Sequence, residues 1–465
     1  MSNKIIEKIK LVKSVNHWDW VKALIWCHLY GFFVAWTGCW WLLLGLPVVF
    51  DVYVTKYIRW GWWKELTNPV SRQVMSWVDT IVFCLVAVYL INIFVFQNYQ
   101  IPTSSLEKSL LVGDFLLVSK VNYGPRMPNT PVAFPLTHNT LPLVGGNSYL
   151  EKPLWQYKRL RGLTSLKRND IVVFNFPAGD TIAFLAQNPD YYRLVDLYGR
   201  EAVHSHPVEF GEIMYRPVDR RENFVKRLIG MPGDSLQIIN NQVYIDGEAL
   251  PNPKKLQFDY FVETKNPLSA KQFEELEVSK ADQHLFWMTD EEGQSHPVYD
   301  RLPLTQAACE VLQKKSWAKS VTILPDDNLN DKTYPYDYTT GWSRDNFGPL
   351  WIPKRGATIV LSEENIALYR RCIVNYEENQ LRQEGETVFI NGSPATHYTF
   401  QMDYYFMLGD NRHESADSRY WGFVPEDHVV GTPVFVWLSL DKDKGWFSGK
   451  IRWSRLFRTV SSLVQ

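Results

Sequence analysis

The sequence predicts a mainly β fold: an all-β core anchored to a membrane by N-terminal transmembrane helices and interrupted by an α+β accessory insertion. Three observations carry this expectation. Thr80 to Phe96 reads TIVFCLVAVYLINIFVF, a run without a charge. Beyond residue 100 come short segments rich in β-branched and aromatic residues, bounded by Gly, Pro, Asn or Asp. Residues 251–395 then change character, with frequent Lys, Glu, Gln and Asp.

Composition narrows the classes. The 465 residues suffice for two or three compact units. A formal net charge of −1 gives no reason to expect nucleic acid as a partner. Aromatic residues make up 15% of the chain, and many of the 19 Trp precede residue 100, where Trp and Tyr suit a membrane interface. Membrane lipids are therefore an expected partner. Five scattered cysteines with no CxxC spacing exclude a disulfide scaffold; whether Cys309 and Cys372 pair is left open by spacing.

Taken in order, residues 1–22 form a basic start with Lys4, Lys8, Lys10, Lys13 and Lys22. Residues 23–50 are an apolar membrane segment interrupted by His28, Gly31, Thr37, Gly38, Gly45 and Pro47, which either spans or folds back as a hairpin. In 51–79, Lys56, Arg59, Lys64 and Arg72 outweigh Asp51 and Glu65, so the positive-inside rule places this loop in the cytoplasm. Residues 80–98 are the transmembrane helix; at about 1.5 Å per residue the apolar run just covers a hydrocarbon core. Everything after about Tyr99 then lies outside. If the basic N-terminus also stays inside, 23–50 must be re-entrant. A cleaved signal peptide is disfavoured by the lack of an Ala-x-Ala-like exit. Trp36-Thr-Gly-Cys39 carries Trp where a lipoprotein cleavage box has a small aliphatic residue.

The first part of the β core spans 99–250, with strands expected over 115–119, 171–176, 223–229, 236–239 and 242–245. Asn240-Asn241 and Asp246-Gly247 serve as turn formers. Within it, about 121–165 is an insertion rich in Pro, Tyr and Leu, expected to wrap the body. Residues 251–395 are the accessory insertion, with helices expected over 269–278 and 363–375. The core resumes over 396–440 with strands at 404–408 and 433–437, and 441–465 is an aromatic-basic tail that either rests on lipid headgroups or packs as a terminal element.

Chemistry is suggested by three stretches. In Ile101-Pro-Thr-Ser-Ser-Leu106, Ser105 is a candidate nucleophile that needs a base. Ser105-Leu-Glu-Lys108 fits an S-x-x-K pattern, but that reading needs a helix, and the K-T-G and S-D-N partners of penicillin-binding enzymes are missing. In Asn223-Phe-Val-Lys-Arg-Leu-Ile229, strand alternation puts Lys226 on one face with Phe224 and Leu228, where desolvation disfavours the ammonium and frees an amine to accept a proton. Taken alone, this stretch is more plainly an edge strand whose lysine reaches solvent. In Leu408 to Phe423, Asp410, Arg412, Asp417 and Arg419 alternate in sign around Ser415, as in an ion-paired loop or an ordinary surface turn.

Together with Lys167-Arg-Asn-Asp-Ile-Val-Val-Phe174 and Lys226-Arg-Leu-Ile-Gly-Met-Pro-Gly-Asp234, these stretches stand in the order of the type I signal peptidase (leader peptidase) family, which the chain resembles. Its large insertions look like those of Bacteroidetes versions. The resemblance implies a membrane-anchored Ser-Lys protease without metal or organic cofactor. Ser105 matches the nucleophile and Lys226 the general base. Ser415 matches the hydroxyl that orients the lysine, and Asp417 and Arg419 the ion pair bracing its loop, to which Asp410 and Arg412 also belong. Thr103 stands at the family's oxyanion-hole serine, acting with the Ser105 N–H. Leu106 replaces a usual Met and Ser104 a usual Gly.

The resemblance further implies removal of signal peptides from secretory preproteins after Ala-x-Ala-like sites, on the periplasmic side of a bacterial inner membrane. Ser105 lies nine positions after Phe96, a reach of about 30 Å at most, so the nucleophile stays near the bilayer. A catalytically dead membrane scaffold and a self-cleaving repressor-type Ser-Lys protease are the rivals. The apolar helix and the lack of a basic recognition region speak against the second.

Overall fold

The computed structural model describes residues 15–141, 146–291, 293–326, 332–336, 340–385 and 387–464; Lys4, Lys8, Lys10 and Lys13 of the basic start lie outside them. The chain divides into two compact units, Met1–Asn92 with Arg159–Arg161, and Ile93–Lys158 with Gly162–Gln465.

In the first unit the segment 23–50 folds back on itself. Helix α1 (His17–Thr37) begins where the Asn16 side chain accepts the Trp18 N–H. It stops at Gly38, whose φ of 61° is the left-handed conformation glycine adopts freely. A 3-10 turn over Trp40–Gly45 leads into α2 (Leu46–Phe50), with Pro47 in its first turn. The returning chain packs on α1: the Tyr30 hydroxyl donates to Leu42 O at 2.8 Å, and Trp20 meets Phe50 edge-on at 5.7 Å. The Asp51 carboxylate closes the bend, accepting from Tyr57 N, Ile58 N and Trp60 Nε1 at 2.7, 3.0 and 3.1 Å.

Helix α3 (Pro69–Phe94) starts well before the apolar run, so the end of the segment expected as loop, 51–79, is helical. The cause is local: Asn68 caps the helix by accepting from Val70 N at 2.9 Å, and a proline is tolerated in a first turn. The helix ends at Phe94 rather than running to 98, because Phe96 already pairs with Ser119 in a sheet. Among the described residues α3 is the one helix long and apolar enough to cross a membrane, with mean hydropathy 2.2 and none of its apolar window buried.

The second unit is built on an antiparallel sheet of β1 (Phe96–Gln100), β2 (Asp114–Ser119), β3 (Ile171–Asn175), β4 (Asn223–Gly230), β5 (Tyr404–Leu408), β6 (Val424–Pro425) and β7 (Val429–Ser439). Their spatial order is β1-β2-β7-β3-β4-β5-β6, with Arg458–Thr459 paired to β7. The late strand β7 thus separates β2 from β3. β3 is buried along its whole length, which is why Ile171 to Phe174 is a continuous apolar run rather than an alternating one. Strand alternation holds in β4: Phe224 and Leu228 pack with Phe174 and Trp421, while Val225 and Ile229 join other clusters.

A second sheet carries the Ser235–Ile239 and Gln242–Ile245 hairpin. Asn240 and Asn241 close it at φ 47° and 69°, the positive values a two-residue type I′ loop requires. Phe347–Trp351 pairs with this hairpin, and Phe347, Tyr369 and Cys372 share a core with Leu236, Phe406 and Phe423. That part of 251–395 is therefore packed into the body. The expected helix at 363–375 forms over Glu363–Arg371 and continues as a π-turn to Tyr376.

Residues 257–323 instead form a four-stranded antiparallel sheet, ordered Phe286–Thr289, Ser295–Thr305, Gln257–Thr264, Ala318–Ile323. Helices Ala270–Glu275 and Gln306–Gln313 accompany it, the first begun by a Ser269–Gln272 capping box. Val262, Phe273, Leu276, Tyr299, Leu302, Leu304 and Leu312 make its core. Cys309 sits in this accessory layer and Cys372 in the main core; both are free thiols. In the insertion at 121–165, Arg220 ties the chain down by donating to Thr130 Oγ1 at 2.7 Å and His138 O at 2.9 Å.

Candidate active site

Past β1, the chain is fastened by Ile101 N to Asp114 O at 2.9 Å and Gly113 N to Ile101 O at 3.0 Å. Thr103 is extended, with φ −127° and ψ 159°, and leads into a single 3-10 turn, Ser104–Leu106. Leu106 and Leu110 are buried with Ile101 and Leu116, so the turn is anchored from below. Ser105 caps this anchor at 5% exposure, while Thr103 is exposed. Here a serine hydroxyl is presented by a fixed turn rather than by a helix.

Lys226 lies in β4, opposite Val172 of β3. Its Nζ donates to Ser105 Oγ at 2.6 Å, and its side chain is buried, with Nζ 5.8 Å from the Phe224 ring centre. Burial pulls the ammonium down to about 8; Asp417 and Asp410 pull the other way, and Arg419 adds to the fall. An amine so placed is available in neutral form near physiological pH and lies within proton-transfer reach of the hydroxyl.

The charged loop after β5 does not pair as its alternating sequence suggests. Asp417 and Arg419 do meet, Nε to Oδ1 at 2.9 Å and Nη2 to Oδ2 at 2.8 Å. Burial alone would raise the Asp417 carboxyl, but Arg419 outweighs it and holds the group below its ordinary value. Asp410 turns instead to Arg227, the neighbour of Lys226 on the opposite face of β4, and also accepts from Ser109 Oγ at 2.5 Å. Arg412 is left to donate to Gly409 O at 3.2 Å and to accept Arg419 Nη2 through its own carbonyl at 2.6 Å. Burial, with Arg419 next to it, pulls Arg412 down to about 10.

Ser415 is buried beside this loop, and its hydroxyl has no hydrogen-bond partner among the described residues, Lys226 included. Its neighbour Gly409 is there for space: a β-carbon at that position would come 2.2 Å from Ser415 Oγ and 2.7 Å from Ser105 O. The loop also grips the serine turn directly, Asn411 N donating to Ser105 O at 3.1 Å. Lys108, the alternative base by spacing, points away. It has φ 69°, and its Nζ donates to Leu276 O and Pro303 O, both at 3.3 Å.

Arg227, Ser109 and Asn411 thus belong to the site without having been singled out from sequence. Arg227 alone carried a signal, a charge on the face of β4 opposite Lys226. Among the described residues no three His, Cys, Asp or Glu side chains gather to hold a metal.

Comparison with known proteins covers most of this architecture. A family model described as "Signal peptidase, peptidase S26" matches residues 74–296 and 354–438. A signal peptidase I of Buchnera aphidicola subsp. Acyrthosiphon pisum is 24% identical over 373 residues, covering 80% of this chain and 77% of that protein. That of Haemophilus influenzae is 24% identical over 406 residues, 85% and 78% of the respective chains. That of Helicobacter pylori reaches 35% identity over 98 residues, 19% of this chain and 31% of the relative.

Proposed function

Because this chain belongs to the signal peptidase family, peptidase S26, and so is a serine endopeptidase that removes signal peptides, we propose that Ser105 is its nucleophile and Lys226 its general base. The observation that carries this is the 2.6 Å contact between Lys226 Nζ and Ser105 Oγ in a buried setting.

In this reading neutral Lys226 takes the Ser105 proton as Oγ bonds to the scissile carbonyl carbon. The oxyanion is received by the Ser105 N–H and the Thr103 hydroxyl; Thr103 supports the assignment by lying just before the turn, on exposed extended backbone. Collapse of the tetrahedral species breaks the C–N bond, and the Lys226 ammonium gives its proton to the leaving amine. Lys226 then deprotonates a water that attacks the acyl-enzyme ester, and Ser105 regains its proton as the acid product leaves. Asp417 and Arg419 brace the loop beside the amine, and the Ser415 hydroxyl turns to it during the reaction.

Cleavage after small residues, at Ala-x-Ala-like sites of secretory preproteins, is supported by the family's motifs in this sequence, and α3 supports action at a membrane. We place the catalytic portion on the periplasmic side of a bacterial inner membrane, the orientation the basic residues of 51–79 favour. The test is incubation of the full chain with a synthetic preprotein. Wild type should cleave, Ser105→Ala and Lys226→Met should not, and equal cleavage by Ser105→Ala sinks the assignment.

A further inference from the structure

The accessory sheet of residues 257–323 is held to the body at the two segments that carry the reaction. Lys108, three residues beyond Ser105, is 6% exposed and reaches into the accessory layer, where its Nζ meets the carbonyls of Leu276 and Pro303. A buried ammonium is costly unless it is hydrogen-bonded, so this contact fixes where the Ser105 turn can sit.

On the other side, Gln257 opens the accessory strand by pairing in parallel with Asn411. Its N–H donates to Asp410 O at 2.9 Å and its carbonyl accepts from Arg412 N at 3.0 Å. A parallel bridge of this kind uses the groups flanking the central residue and leaves that residue's own N–H facing the opposite side. That N–H is the one Asn411 gives to Ser105 O. His413 adds a third link: its Nδ1 accepts from Asp259 N at 3.2 Å, and its ring meets Phe258 edge-on at 5.3 Å.

Resting on the Ser105–Lys226 reading above, we propose that the accessory sheet is a positioning element for the cleavage reaction, setting the Ser105 turn through Lys108 and the 409–412 loop through Gln257 and His413. These residues touch no reacting atom. They act by keeping Ser105 Oγ in line with Lys226 Nζ. A purely fastening role for the same contacts would stabilise the accessory layer and leave the chemical step alone, and the two differ in kinetics.

The experiment uses the full chain in detergent with a synthetic preprotein and compares wild type, Ser105→Ala and Lys108→Met, whose apolar side chain has similar length but no donor. Expected for Lys108→Met is a fall in kcat of about 10- to 100-fold, as small displacements from a reactive alignment produce. KM should stay within about twofold, because substrate contacts are untouched. Amide exchange at Asn411 should quicken. If Lys108→Met does not accumulate as folded protein, His413→Phe reads the same coupling, since it keeps the ring on Phe258 and loses both nitrogens. Unchanged kcat in a folded variant, or a loss carried by KM alone, overturns the proposal. Equal cleavage by wild type and Ser105→Ala would instead overturn the dyad reading beneath it.

Discussion

Arg227 and Asp410 form a two-pronged ion pair, Nε to Oδ1 at 2.7 Å and Nη2 to Oδ2 at 2.6 Å, with both side chains almost fully buried. Breaking one side leaves the other charge buried without its partner. Arg227→Met should therefore lower stability by about 3–5 kcal/mol, and adding Asp410→Leu should recover much of it. Urea unfolding in detergent measures both; an unchanged midpoint for the single variant would show that the pair contributes nothing.

The state of Lys226 fixes a pH dependence. If Lys226 is the general base, burial holding its ammonium down to about 8 means that kcat/KM should fall as pH drops through about 8. A midpoint at an ordinary lysine value, about 10.4, would contradict the buried-amine account.

The same group has a stability consequence of known sign. Its folded value lies below its unfolded one, so the unfolded chain binds more protons between the two. The penalty of burying the ammonium is fully present below about 8 and fades as pH rises toward the ordinary lysine value of 10.5. Lys226→Met should therefore melt at a higher temperature than wild type at pH 7 while cleaving nothing. A lower melting temperature would mean that the amine stabilises the fold.

Removing the Thr103 hydroxyl isosterically tests the oxyanion assignment. Thr103→Val should cost about 100- to 1000-fold in kcat, the usual effect of losing one such donor, whereas Thr103→Ser should stay active. Equal rates for Val and Thr would assign the donor elsewhere.

Gly409→Ala tests the close approach of the loop to the serine turn. The added methyl meets Ser415 Oγ and the Ser105 carbonyl well inside contact distance. A loss of about 1–3 kcal/mol is expected from overpacking. Cleavage should fall with it, and wild-type stability together with wild-type turnover would rule out a tight fit here.

Much of this was legible in the chain because it is local. The strands over 223–230 and 404–408, the Asn240-Asn241 turn and the alternation that places Lys226 opposite Arg227 all follow from near neighbours. What could not be read depends on distant partners. Asp410 chose Arg227, 183 positions away, over the nearer Arg412, because the sheet brings β4 beside β5. Phe347–Trp351 joined the Ser235–Ile239 hairpin, and Lys108 found carbonyls in the accessory layer, for the same reason. The start of α3 was missed for a different cause: its first turns are polar, and only the Asn68 cap marks them as helix.

The position of β7 makes it the seam between the two halves of the sheet. Ser105 hangs from the β1–β2 side and Lys226 from the β3–β4 side, and the strand joining these halves starts only at Val429. A chain lacking that segment would keep the contact from Asn411 to the Ser105 carbonyl but lose the strand that spans the two halves of the sheet. On the proposed dyad reading, weakening this seam would let nucleophile and base drift apart although neither residue is itself altered.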